Sequence, residues 1–434
     1  MVTSRKVWNS SAANEMERSW GDILWACIMN YSKLRALGRS VPSIAAVGTM
    51  FVFLSVVITL RSLPIADTVQ FGGDEGAELM KALLVHRGYI LYNPIWSDQP
   101  PLYTFLLDVL FSCFGEAVFW PRMLSILATG VCGVVLFRFT LLCGGGLLGG
   151  VVSCLLLLGN PMWVELGVSA MQEVPMLALS LASSYLALST KNNEYHRNRL
   201  LAAGALMGAA LGIKFTAVLW FVAAVAALVV WHRRIGTSRD LIAIHLSCYV
   251  GSALGVAFVV LLALGHGTVA QMVRNHCVFA HVLPGFATQP KDFHFEERLV
   301  GLQPDLFLTA ACGLLWLLMR GPQNVGDWFC LMSLIVQGVF AMFYRPWWDF
   351  YLIGSSVPLI LIGAVAVGRF AAAVVNSGRQ VCDWRARFAR AVCLVAVLVF
   401  LSALNLTRLS NTLIENETRA TVGSSDVILF CSGT

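Results

Sequence analysis

The chain has 434 residues, of which 58% are hydrophobic and 12% charged, and its mean hydropathy is +0.74. This charged fraction is about half that of a typical soluble protein, and apolar runs of membrane-spanning length recur between Val41 and Leu404. The composition therefore excludes a soluble enzyme, a nucleic-acid-binding protein and a secreted disulfide-linked scaffold. The net charge of +6 does not indicate a nucleic-acid partner, because in a polytopic protein the meaning of a charge depends on the side of the membrane that carries it.

The apolar runs predict an all-α, polytopic membrane helix bundle with about 11 transmembrane helices. The first run follows a polar segment that is too long for the start of a secretory signal, so we interpret it as an uncleaved helix. The runs cover approximately residues 41–60, 118–139, 143–164, 174–190, 199–214, 216–231, 240–264, 304–319, 327–344, 350–369 and 389–405.

The segment 99–115 is apolar but short, begins with Pro100-Pro101 and carries Asp108 near its centre. If it lies on the outer surface, the basic clusters before and between the runs all fall on the cytoplasmic side, as the positive-inside rule requires. If it crossed the membrane, the basic loops between 138 and 239 would lie outside. We therefore expect 99–115 to be an amphipathic helix in the membrane interface.

This topology predicts a cytoplasmic N-terminal tail, 1–40, a transmembrane domain, 41–405, and a short extracytoplasmic tail, 406–434. The two sizeable outer loops are 61–117 and 265–303. Neither has room for the α/β domain that binds a nucleotide, and no phosphate-binding glycine loop is present. An activated donor must therefore come from the membrane or from the outer compartment.

Glycines recur at four-residue spacing within the apolar runs. A GxxxGxxxG pattern occurs at Gly204, Gly208 and Gly212, and Gly145 with Gly149 repeats the spacing. Small residues at this spacing allow helix backbones to approach closely. We expect packing within the chain, with dimerisation of subunits as the alternative.

The first outer loop contains the most specific pattern. After Gly72-Gly73, the acids Asp74 and Glu75 open a stretch that is predicted to be helical to about Arg87. In the first turn of a helix the macrodipole favours the carboxylate form, and an ionised Asp can accept a proton. The alternative is that the two acids only cap the helix.

Further charged residues are predicted to gather at the same end of the bundle. Ionisable groups beside hydrocarbon are costly, so their concentration there indicates a site. With no soluble domain present, a lipid phosphate is the natural anion for the cations, although Lys214 could instead pair with a nearby carboxylate. The charged residues are Asp98, which with the neutral Gln99 precedes the Pro-Pro corner, Glu165 and Glu173 near the mouth of one span, Lys214 between two spans and Arg345 at the end of another.

These residues, in this order, resemble the GT-C glycosyltransferases that use polyprenyl-phosphate sugars, in particular the dolichyl-phosphate-mannose protein mannosyltransferases and the bacterial lipid A aminoarabinose transferases. The resemblance covers roughly 60 to 370. It rests on Asp74-Glu75, the corner Gln99-Pro100-Pro101-Leu102, Arg122 at the head of the next span, Glu173-Val174-Pro175, the small-residue helix ending in Gly212-Ile213-Lys214, and the stretch from Tyr351-Leu352 to Pro358.

The resemblance implies catalytic positions at Asp74, Glu75 and Glu173, of which Asp74 matches the acid that deprotonates or orients the acceptor hydroxyl. It implies substrate-binding positions at Asp98, Gln99, Arg122, Lys214, Arg345 and Tyr351. Two features differ from the family pattern. Gln99 stands where a basic residue often precedes the Pro-Pro corner, and the tail after 405 is short, so we expect a soluble acceptor-recognition domain to be absent or the chain to be incomplete.

The sequence and the resemblance together predict an integral membrane glycosyltransferase. It would move a sugar from a polyprenyl-phosphate donor to an acceptor hydroxyl at the extracytoplasmic face of a bacterial inner membrane, with inversion. The acceptor, whether protein, lipid or glycan, is open. No cofactor is required, although Asp74, Glu75 and Glu173 could hold a divalent cation through oxygen ligands. The alternative functions are a transporter or flippase of a lipid-linked sugar and a non-catalytic membrane scaffold.

Overall fold

The computed structural model describes residues 41–61, 72–189, 197–264, 269–282, 303–343 and 349–378. In these ranges the chain forms fourteen α-helices and one 3-10 helix, Asp349–Tyr351, and no strand. The helices are α1 Val41–Arg61, α2 Gly72–His86, α3 Leu102–Phe114, α4 Phe119–Leu142, α5 Gly146–Leu158, α6 Pro161–Gly167, α7 Glu173–Leu188, α8 Arg197–Ile213, α9 Ala217–Arg234, α10 Arg239–Leu264, α11 Val269–Val282, α12 Pro304–Arg320, α13 Val325–Phe343 and α14 Leu352–Gly378.

The predicted all-α membrane bundle is confirmed, and each predicted run between 41 and 369 corresponds to a helix or to a pair of helices. By length and apolar composition, five helices of the described ranges are candidate spans, or six if one bent pair counts as a single crossing. The predicted total of about 11 therefore stays a prediction. The tail 1–40, the last predicted span, 389–405, and the tail 406–434 lie outside the described residues.

The run 143–164, predicted as one span, is broken in the structure into α5 and α6, whose axes differ by 72°. The cause is local. Pro161 stands at the start of α6, where its missing N–H costs no hydrogen bond, and the Asn160 side chain accepts hydrogen bonds from the backbone N–H groups of Met162 and Trp163. A proline preceded by an N-capping asparagine starts a new helix in a new direction.

The predicted pair of short helices in the first outer loop is present as α2 and α3, which pack against each other. The 13 residues of α3 extend for about 20 Å, which is shorter than the hydrocarbon core of about 30 Å. Asp108, the acid that made this segment unusual, lies 2.9 Å from Nδ1 of His86 on α2. Its charge thus connects the two helices.

The GxxxGxxxG helix packs within the chain, as predicted. A Cβ atom at Gly204 would lie 2.4 Å from the carbonyl oxygen of Tyr249, and one at Gly208 would lie 2.4 Å from that of Ala253. Both carbonyls belong to α10, so the glycines of α8 allow the two backbones to touch. Gly149 has the same role between α5 and α14, where its Cβ would lie 2.6 Å from the carbonyl oxygen of Ala364. Around these contacts, large side chains such as Trp163, Trp220 and Phe329 form one buried cluster.

This packing predicts that Gly208→Ala destabilises the protein. The added methyl group has no space, so α8 and α10 must separate, at a cost of about 1–3 kcal/mol. Thermal unfolding in detergent measures the effect. Gly251, on α10 with no atom within 4 Å of its added Cβ, provides the matched control. Gly251→Ala should leave the midpoint unchanged or raise it, and an equal loss in both variants would contradict the packing role.

Candidate active site

A cavity of about 640 Å³ lies at the end of the bundle where α2, the segment before α3, the start of α7 and the turn after α8 meet. Six of the predicted site residues line it, together with three polar side chains that the sequence analysis did not single out. The predicted residues are Asp74, Asp98, Gln99, Glu173, Lys214 and Tyr351, and the additional ones are Glu78, Lys81 and Gln172. The lining carries four carboxylates and two ammonium groups, so it is acidic overall.

Glu173 and Lys214 form a buried ion pair on one wall of the cavity. Lys214 Nζ donates to Oε1 of Glu173, which confirms the alternative that this lysine pairs with a carboxylate. The ammonium also lies over two aromatic rings, 4.7 Å from the centroid of Phe350 and 5.5 Å from that of Tyr351. In the described part of the chain, Oε2 of Glu173 is buried and has no hydrogen-bond partner. The Glu173 carboxylate is thus held mainly by Lys214.

Asp74 lies in the first turn of α2 and is exposed to the mouth of the cavity. Partial desolvation by the surrounding walls raises the pKa of its carboxyl above the usual 3.8, and the nearby Glu173 carboxylate raises the pKa further. The cations Lys214 and Lys81 act in the opposite direction but do not cancel these effects. A carboxylate with a raised pKa accepts a proton more readily than a free one.

The effect of the Glu173 charge on the pKa of Asp74 can be tested by measuring kcat/KM as a function of pH. Glu173→Gln removes a negative charge beside Asp74 and releases Lys214, and both changes lower the pKa of Asp74. If Asp74 must be ionised for activity, the acidic limb of kcat/KM should move to lower pH in this variant. The pH at which the acidic limb falls is the quantity to compare, because the maximum of kcat/KM also depends on other roles of Glu173. Glu116→Gln, at an exposed residue outside the cavity, is the control and should leave the acidic limb in place. If the acidic limb of Glu173→Gln does not move, or moves to higher pH, the effect of Glu173 on the pKa of Asp74 is contradicted.

Glu75 and Arg122 were predicted as catalytic and substrate-binding residues, but they do not line the cavity. They are buried against each other in a two-point ion pair, with 2.8 Å from Arg122 Nε to Glu75 Oε1 and 2.8 Å from Nη2 to Oε2. Glu75 Oε1 also accepts the backbone N–H of Ala170 at 2.7 Å. This arrangement joins α2 to α4 and to the segment before α7. The pair thus fixes the position of Asp74 relative to Glu173.

The segment that precedes α3 is anchored from several sides. Tyr92 donates its hydroxyl to the carbonyl oxygen of Gln99 at 2.7 Å, and the amide of Asn275 on α11 donates to the carbonyl oxygen of Ser97 at 3.0 Å. Within the segment, Gln99 Nε2 donates to Asp98 Oδ2 at 2.8 Å. In the described ranges the remaining oxygen of Gln99, Oε1, is buried without a hydrogen-bond partner. The segment therefore holds Asp98 and Gln99 at fixed positions in the cavity wall.

Glu78, Lys81 and Gln172 form a third polar group that sequence reasoning missed. Glu78 Oε1 accepts hydrogen bonds from Lys81 Nζ at 2.7 Å and from Gln172 Nε2 at 3.2 Å. A signal was present in the sequence: Glu78 and Lys81 follow Asp74 at intervals of four and three residues, which places all three on one face of a helix.

Two further predictions are not decided by this geometry. Arg345 lies outside the described residues. In the ranges that the structure describes, no group of three or more His, Cys, Asp and Glu side chains is arranged to hold a metal ion. A role for a divalent cation stays a prediction.

Residues 98–264 match the family model described as dolichyl-phosphate-mannose-protein mannosyltransferase. No curated protein matches the chain. The fold is similar to the crystal structure of ArnT from Cupriavidus metallidurans in the apo state, with a TM-score of 0.59 and 16% identity over 87% of this chain and 76% of that one.

Two further structures share the fold. ArnT from Cupriavidus metallidurans bound to undecaprenyl phosphate gives a TM-score of 0.57 at 16% identity, with the same coverage of 87% and 76%. The arabinosyltransferase EmbB from Mycobacterium smegmatis gives 0.53 at 13% identity, over 86% of this chain and 41% of that one. These structures share the fold of this chain, and the family model matches its residues 98–264.

Proposed function

We propose that this multi-pass membrane protein transfers a sugar from a polyprenyl-phosphate donor to an acceptor hydroxyl, and that the cavity is where the transfer occurs. The observation that carries the proposal is the meeting of Asp74 with the Glu173–Lys214 pair in one cavity at the end of the helix bundle. The undecaprenyl phosphate bound by ArnT, which shares the fold, supports the donor class. The family model over 98–264 supports the reaction class.

The chemistry requires few groups from the protein. The acceptor oxygen attacks the anomeric carbon, the bond from that carbon to the phosphate oxygen breaks, and the electron pair leaves with the phosphate. Asp74 accepts the proton of the acceptor hydroxyl, a role that its raised pKa suits. A cavity lysine compensates the charge that develops on the departing phosphate. With one base acting opposite the leaving group, the anomeric centre is inverted.

The other groups of the cavity suit the recognition of a sugar. A sugar presents several hydroxyl donors, and the cavity is lined by carboxylate side chains that can accept from them, including those of Asp74 and Asp98. Hydrogen bonds to charged groups are stronger than those between neutral groups, so such acceptors contribute both affinity and orientation. Glu75 and Arg122 take a positioning role in this proposal because both are satisfied by each other.

The distribution of charge supports an extracytoplasmic site with the N-terminus in the cytoplasm. In this orientation the basic clusters of the N-terminal tail and of the short cytoplasmic loops lie opposite the acid-rich first outer loop. A bacterial inner membrane as the location is part of the proposal.

The experiment that tests the proposal uses purified protein in detergent, a polyprenyl-phosphate sugar labelled in the sugar, and extracts of the cell envelope as acceptor. Transfer of label to an acceptor, with release of polyprenyl phosphate, is the expected result. Detergent removes compartments, so a transporter or flippase would leave the donor intact. An intact donor in detergent, combined with movement of labelled donor across the membrane of reconstituted vesicles, would overturn the proposal in favour of transport.

A further inference from the structure

We infer that Lys81 is the residue of the cavity that binds an anion, and that this anion is the phosphate of the lipid-linked donor. The inference rests on the proposed function. Lys81 lies on α2, lines the cavity and has a side chain that is only 12% exposed. An ammonium group in such a position is costly unless anions or acceptors surround it.

The protein satisfies Lys81 only in part. Its Nζ donates to Glu78 Oε1 at 2.7 Å, and this is the hydrogen bond that the structure gives it in the described ranges. An ammonium has three N–H groups, so donors remain for a ligand. The same Glu78 oxygen also accepts from Gln172 at 3.2 Å, so the carboxylate shares its negative charge between two donors. The ion pair with Glu78 therefore holds Lys81 in place without using all of its hydrogen-bond donors.

Lys214, the other ammonium group of the cavity lining, is more fully occupied. It is paired with Glu173 and lies over the rings of Phe350 and Tyr351, at 4.7 Å and 5.5 Å from their centroids. Negative charge on one side and aromatic faces on two others leave less room for a phosphate oxygen. Of the two cations in the lining, Lys81 is thus better able to accept an added anion.

The position of Lys81 along α2 also suits the reaction. Asp74 and Lys81 are seven residues apart, which places them on one face of the helix and about 10 Å apart along its axis. In the proposed reaction the acceptor oxygen lies about 2.8 Å from the Asp74 carboxylate and about 3 Å from the anomeric carbon. The phosphate ester follows the anomeric carbon, and a second hydrogen bond joins the phosphate to Lys81. That chain of atoms spans a comparable distance, so one helix presents the base at one end of the reacting group and the cation at the other.

Binding measurements on the full-length protein in detergent test the inference, with polyprenyl phosphate and the neutral polyprenol of equal length as probes. Lys81→Met should raise the Kd for polyprenyl phosphate about tenfold or more, the loss expected for one hydrogen bond to a charged group, and leave the Kd for polyprenol within about twofold. Lys81→Arg, which keeps the charge, should restore most of the phosphate affinity.

Glu78→Gln separates anion binding from a merely structural ion pair. If Lys81 binds the phosphate, Glu78→Gln leaves the lysine charge uncompensated and keeps or improves the affinity for polyprenyl phosphate. If the pair is only structural, Glu78→Gln and Lys81→Met break it alike and weaken binding alike. Equal losses in these two variants, or no loss in Lys81→Met, would overturn the inference. Should Lys81→Met fail to fold, Lys81→Gln is measured against the same thresholds.

Failure of the inference can be distinguished from failure of the proposed function. If wild-type protein binds polyprenyl phosphate and transfers sugar while Lys81→Met does both equally well, the inference about Lys81 is wrong and the proposed function stands. If wild-type protein neither binds polyprenyl phosphate nor uses the labelled donor, the proposed function itself is wrong, and the inference falls with it.

Discussion

Asp74→Asn should lower the rate of sugar transfer by about 10²- to 10⁴-fold, the range expected when a general base is removed. The substitution keeps the size of the side chain and its place in the first turn of α2, but the amide cannot accept the proton of the acceptor hydroxyl. Single-turnover transfer from a labelled polyprenyl-phosphate sugar measures the loss. Activity within a few-fold of wild type would remove Asp74 from this role.

The stability of the same variant separates loss of chemistry from loss of fold. Because the pKa of Asp74 is raised in the folded chain, ionisation above its usual pKa of 3.8 is less favourable there than in the unfolded chain. The charged carboxylate therefore destabilises the fold near neutral pH, and this effect disappears as the pH falls and the group becomes protonated. Asp74→Asn should have an unfolding midpoint equal to or above that of wild type. A lower midpoint would indicate that Asp74 holds the structure together instead.

Arg122→Met is expected to have the largest effect on stability, about 3–5 kcal/mol, because it leaves the Glu75 carboxylate buried without its partner. The two side chains are each only 4% exposed, so water cannot replace the lost guanidinium. Denaturant unfolding in a fixed detergent measures the change. The double variant Glu75→Leu/Arg122→Met removes the isolated charge and should recover part of the loss.

The exposed ion pair between Arg87 and Glu116 provides the matched control for Arg122. Its N–O distance is 3.3 Å, and its side chains are 57% and 45% exposed. Water screens such a pair, so Arg87→Met should change the stability by no more than about 1 kcal/mol. Equal effects of Arg87→Met and Arg122→Met would contradict the structural role that we assign to the buried pair.

The acids of the first outer loop show how far the sequence could locate the site. The Gly-Gly pair followed by Asp74-Glu75 correctly predicted the start of a helix with two acids in its first turn. The sequence did not distinguish the two acids. Consecutive residues of a helix point about 100° apart, so the two acids have different surroundings. The structure turns Asp74 to the cavity and Glu75 to Arg122, which lies 47 positions along the chain.

The residues that were missed lie on the face of α2 that Asp74 defines. Glu78 and Lys81 continue the line of Asp74 along the helix and could have been found from the helical period alone. Gln172 could not, because its contact with Glu78 joins residues that are 94 positions apart. Such a contact depends on how α2 and α7 meet, and nothing in a single sequence determines that meeting.

The fold was predictable where composition determines it and less so where local geometry does. Long apolar runs identified the helices of the bundle, and the glycine spacing identified a close contact of α8 before its partner α10 was known. The bend within the run 143–164 was not predicted, although Asn160-Pro161 is a common start of a new helix. Apolar composition does not reveal a bend, because both arms of a bent helix can remain buried.

The central claim, that sugar transfer occurs in the cavity between Asp74 and the lysines, is tested most directly by a cryo-electron microscopy structure with bound polyprenyl phosphate. The phosphate is expected to lie in the cavity, with one oxygen within about 3 Å of a lysine Nζ and the Asp74 carboxylate facing the space that the sugar would fill. A phosphate bound at the opposite end of the bundle, or outside the cavity, would contradict the account.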